Sequence, residues 1–233
     1  MNKQQLANKI WATANQMRSK IEAYEYKDFI LGFIFYKFLS EREEKFLLAN
    51  GYTREDLKSV SEYDPDVLEW VQDNLGYFIG YKNLFSTWLS LERDFDVSNV
   101  RDGLSAFSRC VSTSHRGVFD NVFETLQTGL SKLGDSSGSQ TKAINGLLQV
   151  IKEIPMDKPR DYDVLGFVYE YLISMFAANA GKKAGEFYTP HEVSSVMSEI
   201  IAHELQEQDE IRIYDPTSGS VSYTHLTLPT IRL

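Results

Sequence analysis

Two short segments near the end of the printed sequence carry residue types that could bind a small ligand. The first, DPTSGS at residues 215–220, follows the short β-branched run IRIY at 211–214, which predicts a strand. Gly219 lets the backbone turn tightly and approach a ligand, because glycine has no Cβ atom to clash. An acidic residue and a glycine turn at the carboxyl end of a strand are typical of ligand sites in α/β folds. Taken alone, the segment is equally compatible with an ordinary β-turn.

The second segment is GEFYTP at residues 185–190. It is separated from the strand by HEVSSVMSEIIAHEL, which predicts a helix that Pro190 can begin, so the segment can fold back beside the glycine turn. Before it, residues 163–179 predict another helix, whose apolar face consists of Leu165, Val168, Leu172, Met175 and Phe176. The order helix, loop, helix, strand and glycine turn predicts the opening of an α/β nucleotide-type domain.

The first two thirds of the sequence predict a helical domain that precedes these segments. Residues 3–18 and 26–50 have apolar residues at helical spacing, and 29–39 are apolar nearly all round. A helix that is apolar on every side must be packed on every side, so we expect it at the centre of a bundle or against a partner subunit. It is too short to cross a bilayer, which takes about 20 residues. We interpret the acidic run Glu41, Glu43 and Glu44 as a solvated face and not as a metal site.

Further elements follow from local signals along this domain. Asp64, Pro65 and Asp66 predict the start of a helix. The aromatic residues of 77–88 are expected in the core. Three more helices are predicted at residues 99–111, 117–133 and 143–154, and the composition of GDSSGSQT at 134–141 predicts a flexible loop.

Composition limits the classes of function. The formal net charge of −9 gives the whole chain no basic surface for binding phosphates, so any basic DNA contact is expected to be local or to come from a partner. Cys110 is the only cysteine, which excludes an intramolecular disulfide and favours a reducing cytoplasm. We expect its thiol to be buried and inert. The polar start of the sequence does not have the pattern of a signal peptide.

Together, DVLGFVYEYLI, GEFYTP and DPTSGS resemble the methylation subunit of type I restriction–modification systems. That family comprises adenine-specific DNA methyltransferases that use S-adenosyl-L-methionine. The segment YKDFILGFIFYKFLSEREEKF also resembles the family's helical N-terminal domain, and the resemblance covers residues 1–220. It implies a mainly α fold, in which a helical N-terminal domain at residues 1–154 precedes the truncated start of an α/β Rossmann-like methyltransferase domain at 155–220.

The resemblance also implies a cofactor pocket, formed in the family by segments like GEFYTP and DPxxGxG. On this chain it would comprise Glu186, Phe187, Tyr188, Thr189, Pro190, His191, Asp215, Pro216, Gly219 and Ser220. Asp215 would help to position the methionine end of S-adenosyl-L-methionine. Core packing remains an alternative role for Phe187 and Tyr188, and a surface or capping role for His191. The implied partners are a DNA-specificity subunit, a restriction subunit and duplex DNA reached through their complex, in the cytoplasm and not at a membrane.

The sequence departs from the family pattern after Ser220. Val221 stands where the family has a second glycine, and a β-branched residue suits a turn with positive φ poorly. The family holds the flipped adenine with an Asn-Pro-Pro-aromatic segment, which is absent because no two prolines of this sequence are adjacent. We therefore assign no catalytic residue and expect this chain alone to be inactive. VSYTHL is what the end of a transposon-based sequencing adapter encodes, so we interpret residues 221–233 as a translated adapter.

The residues leave one other class of function open and disfavour two more. A non-enzymatic helical module that binds the specificity and restriction subunits remains an alternative. A dinucleotide-binding enzyme is disfavoured because G-x-G-x-x-G is missing. A hydrolase is disfavoured because Ser194 and Ser195 lack a G-x-S-x-G turn, and the histidines lack the spacing of metal ligands.

Overall fold

The computed structural model describes a defined part of the chain: residues 5, 7, 8, 10–12, 23–154, 156, 166–168, 171, 172, 175 and 191–205. The chain divides into two compact units, Met1–Leu165 and Gly166–Leu233. Within the described residues both units are helical, and their only β-structure is an isolated antiparallel bridge between Tyr77 and Val111. The predicted, mainly α fold is confirmed.

Seven α-helices with defined bounds belong to the described part of the first unit. They are α1 Ala23–Ala49, α2 Pro65–Leu75, α3 Phe85–Ser90, α4 Val97–Arg109, α5 Arg116–Phe119, α6 Glu124–Gly129 and α7 Ser137–Lys152. Short 3-10 helices connect them at Asp56–Ser59, Tyr81–Asn83, Glu92–Asp94, Thr113–His115 and Leu130–Leu133. Before α1, the described residues 5, 7, 8 and 10–12 are helical, in agreement with the predicted N-terminal helix.

Helix α1 is the centre of the first unit, as its nearly uniform apolar character predicts. It packs against α3, α6 and α7, and no side chain of residues 29–39 is exposed. The Tyr36 ring stacks on Trp88 of α3 with 4.7 Å between ring centroids. Phe107 of α4 and Phe123 complete an aromatic cluster around Tyr36. No helix in the described part of the chain is long and apolar enough to cross a membrane.

Side-chain caps define where three of these helices begin. The Asp64 carboxylate accepts a hydrogen bond from the Val67 N–H, which confirms the predicted start of α2. Asp96 and Asn99 form a capping box at α4. Ser136 and Ser139 form another at α7, so the flexible loop predicted for residues 134–141 is wrong beyond Ser136. The serines that suggested a loop cap a helix and make up its first turn.

The single helix predicted for residues 117–133 is also wrong. The chain forms α5, a break, α6 and a 3-10 helix over this stretch. The break lies at Asp120, whose ψ of 134° is extended, and at Asn121, whose φ of 62° is left-handed. Asparagine tolerates this conformation better than most residues, which explains how the chain turns here without glycine.

In the second unit, Gly166, Phe167, Val168, Tyr171, Leu172 and Met175 are helical, in agreement with the helix predicted over 163–179. Helix α8, His191–Leu205, begins directly after Pro190 as predicted. The predicted strand at 211–214 lies outside the described residues.

Candidate functional site

Along the sequence, the predicted cofactor residues fall into two groups, one at positions 186–191 and one at positions 215–220, which precede and follow most of helix α8. His191 is the first residue of α8. The other nine, at positions 186–190, 215, 216, 219 and 220, lie outside the described residues, so the assembly of a pocket remains a prediction.

Helix α8 presents a row of apolar side chains to solvent. Val193, Val196, Met197 and Ile200 are 48%, 57%, 41% and 59% exposed. We call these four residues the apolar stripe. Their spacing of three and four residues places them within about 100° of one another around the helix. Ser198 lies on another side of α8 and is buried. The helix therefore has a buried small polar residue and an uncovered apolar face.

Glu43 is the most completely buried carboxyl group among the described residues. Its side chain is 0% exposed, and both of its carboxyl oxygens accept the Ile79 N–H, at 2.8 and 3.1 Å. Burial raises the pKa of Glu43 well above its usual range, and the nearby Glu44 adds to the effect, while the Ile79 hydrogen bond opposes it. The predicted solvated face is therefore wrong at Glu43, which lies four residues from Leu39 and Leu47 on the buried side of α1.

The two neighbours in the acidic run are less buried and are paired. Glu44 accepts the Ser86 hydroxyl at 2.6 Å, and partial burial raises its pKa. Glu41 forms an ion pair with Lys37 at 3.0 Å. Lys37 is itself buried, and its Nζ also donates to the carbonyl oxygen of Ile154. The lysine that interrupts the apolar run thus attaches α1 to the chain just beyond α7.

Two buried tyrosines tie α1 to the aromatic segment 77–88. The Tyr77 hydroxyl donates to the Leu39 carbonyl at 2.9 Å, and the Tyr36 hydroxyl donates to the Asn83 carbonyl at 2.9 Å. Burial, and next the charge of Glu43, raise the pKa of both phenols. A raised pKa favours the neutral form of both phenols, in which each hydroxyl can donate the hydrogen bond that holds α1 against this segment.

A cavity of about 150 Å³ lies between two 3-10 helices, Asp56–Ser59 and Tyr81–Asn83, and helix α4. Cys110 lines it, with Sγ 3.6 Å from a carboxylate oxygen of Glu62, which also pairs with Arg109 at 3.2 Å. Burial first, and then Glu62, raise the pKa of the Cys110 thiol to about 11. The predicted burial of the thiol is confirmed. Its lack of reactivity remains a prediction, which the raised pKa favours because it makes a thiolate scarce at neutral pH. The described residues contain no cluster of His, Cys, Asp and Glu able to hold a metal ion.

Two known protein families match consecutive parts of this chain. The HsdM N-terminal domain family matches residues 6–151, and the N-6 DNA Methylase family matches residues 160–227. The chain belongs to the HsdM family. This confirms the resemblance to methylation subunits of type I restriction–modification systems.

Individual relatives agree with this assignment. The type I restriction enzyme MpnII methylase subunit of Mycoplasma pneumoniae is 27% identical over 230 residues, covering 92% of this chain and 42% of the relative. The MjaIX methylase subunit of Methanocaldococcus jannaschii is 24% identical, covering 91% and 37%. The crystal structure of the type I restriction-modification system methyltransferase subunit from Streptococcus thermophilus superposes with a TM-score of 0.78 at 28% identity, covering 98% of this chain. The chain spans about half or less of these relatives' length.

Sequence reasoning missed the buried polar groups of this HsdM chain. The burial of Glu43 could have been predicted from its position on the helix. It lies one turn from Leu39 and one turn from Leu47, on the same face, and both leucines are buried. The apolar stripe was visible as the spacing of Val193, Val196, Met197 and Ile200, but its exposure depends on tertiary structure.

Proposed function

We propose that this chain is the N-terminal part of a methylation subunit that transfers a methyl group from S-adenosyl-L-methionine to N6 of adenine in duplex DNA. One observation carries the proposal: matches to the HsdM N-terminal domain and to N-6 DNA Methylase follow one another along the same chain. The S. thermophilus subunit supports it, since the similarity extends over 98% of this chain.

The cofactor-binding part of the proposal rests on the sequence. Residues 186–191 and 215, 216, 219 and 220 would form the S-adenosyl-L-methionine pocket, as their resemblance to the family's two cofactor segments implies. Phe187 and Tyr188 would contact the cofactor, and Gly219 would allow close backbone approach. The position of His191 at the beginning of α8 is compatible with this arrangement. The cofactor, when bound, would supply the methyl group.

We further propose that residues 1–233 alone do not transfer methyl groups. The sequence lacks the Asn-Pro-Pro-aromatic segment that would hold the flipped adenine. Without that segment the adenine amino group has no partner to orient it toward the methyl donor.

The proposed partners are a DNA-specificity subunit, a restriction subunit and, through their complex, duplex DNA in the cytoplasm. The formal charge of −9 supports DNA contact through partners, because the chain as a whole does not attract phosphates. The first unit has its own packed core around α1, which favours the second candidate function, a helical module that binds those subunits without catalysis.

A methylation assay with matched proteins tests the proposal. The longer open reading frame recovered from the source DNA is expressed with its specificity subunit, and incorporation of tritiated methyl groups from S-adenosyl-L-methionine into DNA is measured. We expect the longer protein to incorporate methyl groups into DNA and residues 1–233 to incorporate none. The Asp215→Ala variant of the longer protein should lose cofactor binding. Incorporation by residues 1–233 would refute their inactivity, and a folded longer protein without incorporation would favour the helical module.

A further inference from the structure

The cavity of about 150 Å³ in the first unit has an unpaired amide side chain in its wall. Asn83 lines this cavity and is only 4% exposed. Its backbone is fully paired, because its N–H donates to the Gly80 carbonyl at 2.8 Å and its carbonyl accepts the Tyr36 hydroxyl at 2.9 Å. Among the described residues, by contrast, no hydrogen bond reaches the side-chain carboxamide of Asn83. A carboxamide can donate two hydrogen bonds and accept two, so this group is free to bind a ligand.

The carboxamide of Asn83 reaches open space and is not sealed in the core. Within the described part of the chain, the fully enclosed polar side-chain atoms without a partner are Thr87 Oγ1 and Trp88 Nε1. The polar atoms of Asn83 therefore have accessible surface, and the open space that Asn83 lines is the cavity. A buried polar group without a partner destabilises a fold, whereas an apolar side chain in its place does not. Its presence in the wall of a cavity therefore indicates that something in the cavity pairs with it.

The rest of the wall favours a flat ring as the occupant. Most of the buried wall is aromatic, aliphatic or glycine: Phe78, Phe107, Val60, Ile79, Ala106 and Gly103. A cavity of about this volume holds one molecule of the size of benzene. The carboxylate of Glu62, whose side chain is 14% exposed, also lines the cavity and can accept an N–H.

A simple anion fits this cavity less well. Lys58 and Lys82 line it too, but both are exposed, and Lys58 already pairs with Glu55 at 2.8 Å. The carboxylate of Glu62 would repel an anion that entered the cavity. The wall therefore suits a neutral ring with hydrogen-bonding atoms on its edge.

We propose that this cavity binds a small, planar, neutral nitrogen heterocycle that has an acceptor next to an N–H donor, and that the Asn83 carboxamide pairs with this edge. Asparagine offers a donor and an acceptor in one plane, which is how it pairs with the edge of a heterocyclic base. The ring lies against Phe78 and Phe107, and Glu62 accepts a further N–H. The site belongs to the first unit and does not depend on methyl transfer or on S-adenosyl-L-methionine.

NMR titration of residues 1–233 tests the proposal with defined probes. 2-Aminopyrimidine and 2-pyridone carry the required edge, and benzene is the ring of matched size without it. The backbone amide shifts of Gly80 and Gly103, two glycines of the cavity wall, report binding at this place. We expect both heterocycles to bind there at least about tenfold more tightly than benzene. No shift at these glycines with either heterocycle, as for a cavity that holds only water, would overturn the proposal, and so would equal affinity for benzene.

Two asparagine variants test the role of the carboxamide. Asn83→Leu keeps the number of side-chain heavy atoms but removes the donor and the acceptor. It should weaken binding of the heterocycles at least about tenfold and leave binding of benzene no weaker. Asn74→Leu, at an exposed asparagine of α2 outside the cavity, is the control and should change neither affinity. Unchanged heterocycle binding in Asn83→Leu would contradict the assigned role.

The melting temperature distinguishes a binding role of Asn83 from a structural one. Asn83→Leu should melt at the same temperature as wild type or higher, because the folded chain loses no hydrogen bond. A structural role predicts a lower melting temperature with unchanged heterocycle binding, and that pair of results would overturn the proposal. The comparison of heterocycles with benzene in wild type needs no variant, so it decides the matter even if Asn83→Leu does not fold. Failure of methyl transfer by the longer protein would leave all these measurements unaffected.

Discussion

Glu43 provides a direct test of how the first unit is packed, through the substitution Glu43→Gln. The carboxyl group is fully buried, and burial raises its pKa well above the usual range. In the unfolded chain its pKa is about 4.3. The folded protein therefore binds the proton more tightly than the unfolded protein. The stability that Glu43 gains from this tighter proton binding is complete at a pH below its pKa in the unfolded chain. It is lost as the pH rises toward the pKa of Glu43 in the folded protein.

The magnitude follows from this linkage and from one hydrogen bond. Between the two pKa values, wild-type stability falls by up to about 1.4 kcal/mol for each pH unit. Glutamine keeps an acceptor for the Ile79 N–H, which Glu43 binds at 2.8 and 3.1 Å, but it does not titrate. We expect Glu43→Gln to be more stable than wild type at pH 8, with a difference that shrinks toward pH 5. The free energy of unfolding of Glu43→Leu should be about 1–3 kcal/mol lower than that of Glu43→Gln, because the buried Ile79 N–H loses its acceptor.

The assay is urea unfolding followed by tryptophan fluorescence between about pH 5 and pH 8. All three tryptophans, Trp11, Trp70 and Trp88, belong to the first unit, so the signal reports the unit that contains Glu43. Glu69→Gln on the exposed face of α2 is the control and should change the free energy of unfolding by less than about 0.5 kcal/mol. A difference between wild type and Glu43→Gln that does not grow with pH would refute the reasoning.

Three further predictions concern packing, capping and the thiol. Gly103→Ala should lower the free energy of unfolding by about 1–3 kcal/mol, because a Cβ there would lie 2.5 Å from Trp88. Gly146→Ala, in the open middle of α7, should raise it by about 0.5–1 kcal/mol. Thermal denaturation of the two variants checks that their effects have opposite signs. Asp96→Ala should cost about 0.5–2 kcal/mol at pH 7. The hydrogen bond from the Ser98 N–H, followed by hydroxyl donors, lowers the pKa of Asp96 to about 2. The stability difference between wild type and Asp96→Ala should therefore disappear as the pH falls from about 4 toward 2. Urea titrations in which this difference stays constant across that range would contradict the prediction. Cys110 should react with iodoacetamide slowly in the native protein and rapidly in urea, and mass spectrometry showing equal rates would contradict its burial.

The central position of α1 could be predicted because its apolar residues leave no polar face, whatever the surrounding fold. The state of Glu43 could not be predicted from the composition of the acidic run. The burial of Glu43 depends on which face of α1 it occupies and on the segment around Ile79, 36 residues away in sequence. The carboxyl group of Glu43 accepts a hydrogen bond from the Ile79 N–H. The break at Asn121 escaped prediction because one residue in a left-handed conformation leaves little trace in the apolar pattern.

The capping box of α7 shows a different limit of sequence reasoning. Serine and glycine at 134–141 are typical of loops, but Ser136 and Ser139 bond each other's backbone and begin a helix. Around the candidate site, the helical order of the second unit was predicted as far as the described residues extend. Whether positions 186–190 and 215–220 meet in one pocket remains a prediction from the motifs.

Sequencing an independent amplification of the source DNA across codon 220 tests the central claim most directly. The account predicts that the natural frame continues into a second glycine, a helix and, later, an Asn-Pro-Pro-aromatic segment. A natural frame that ends in SYTHLTLPTIRL, as in the printed sequence, would contradict the methyltransferase assignment and leave the helical unit as the functional part.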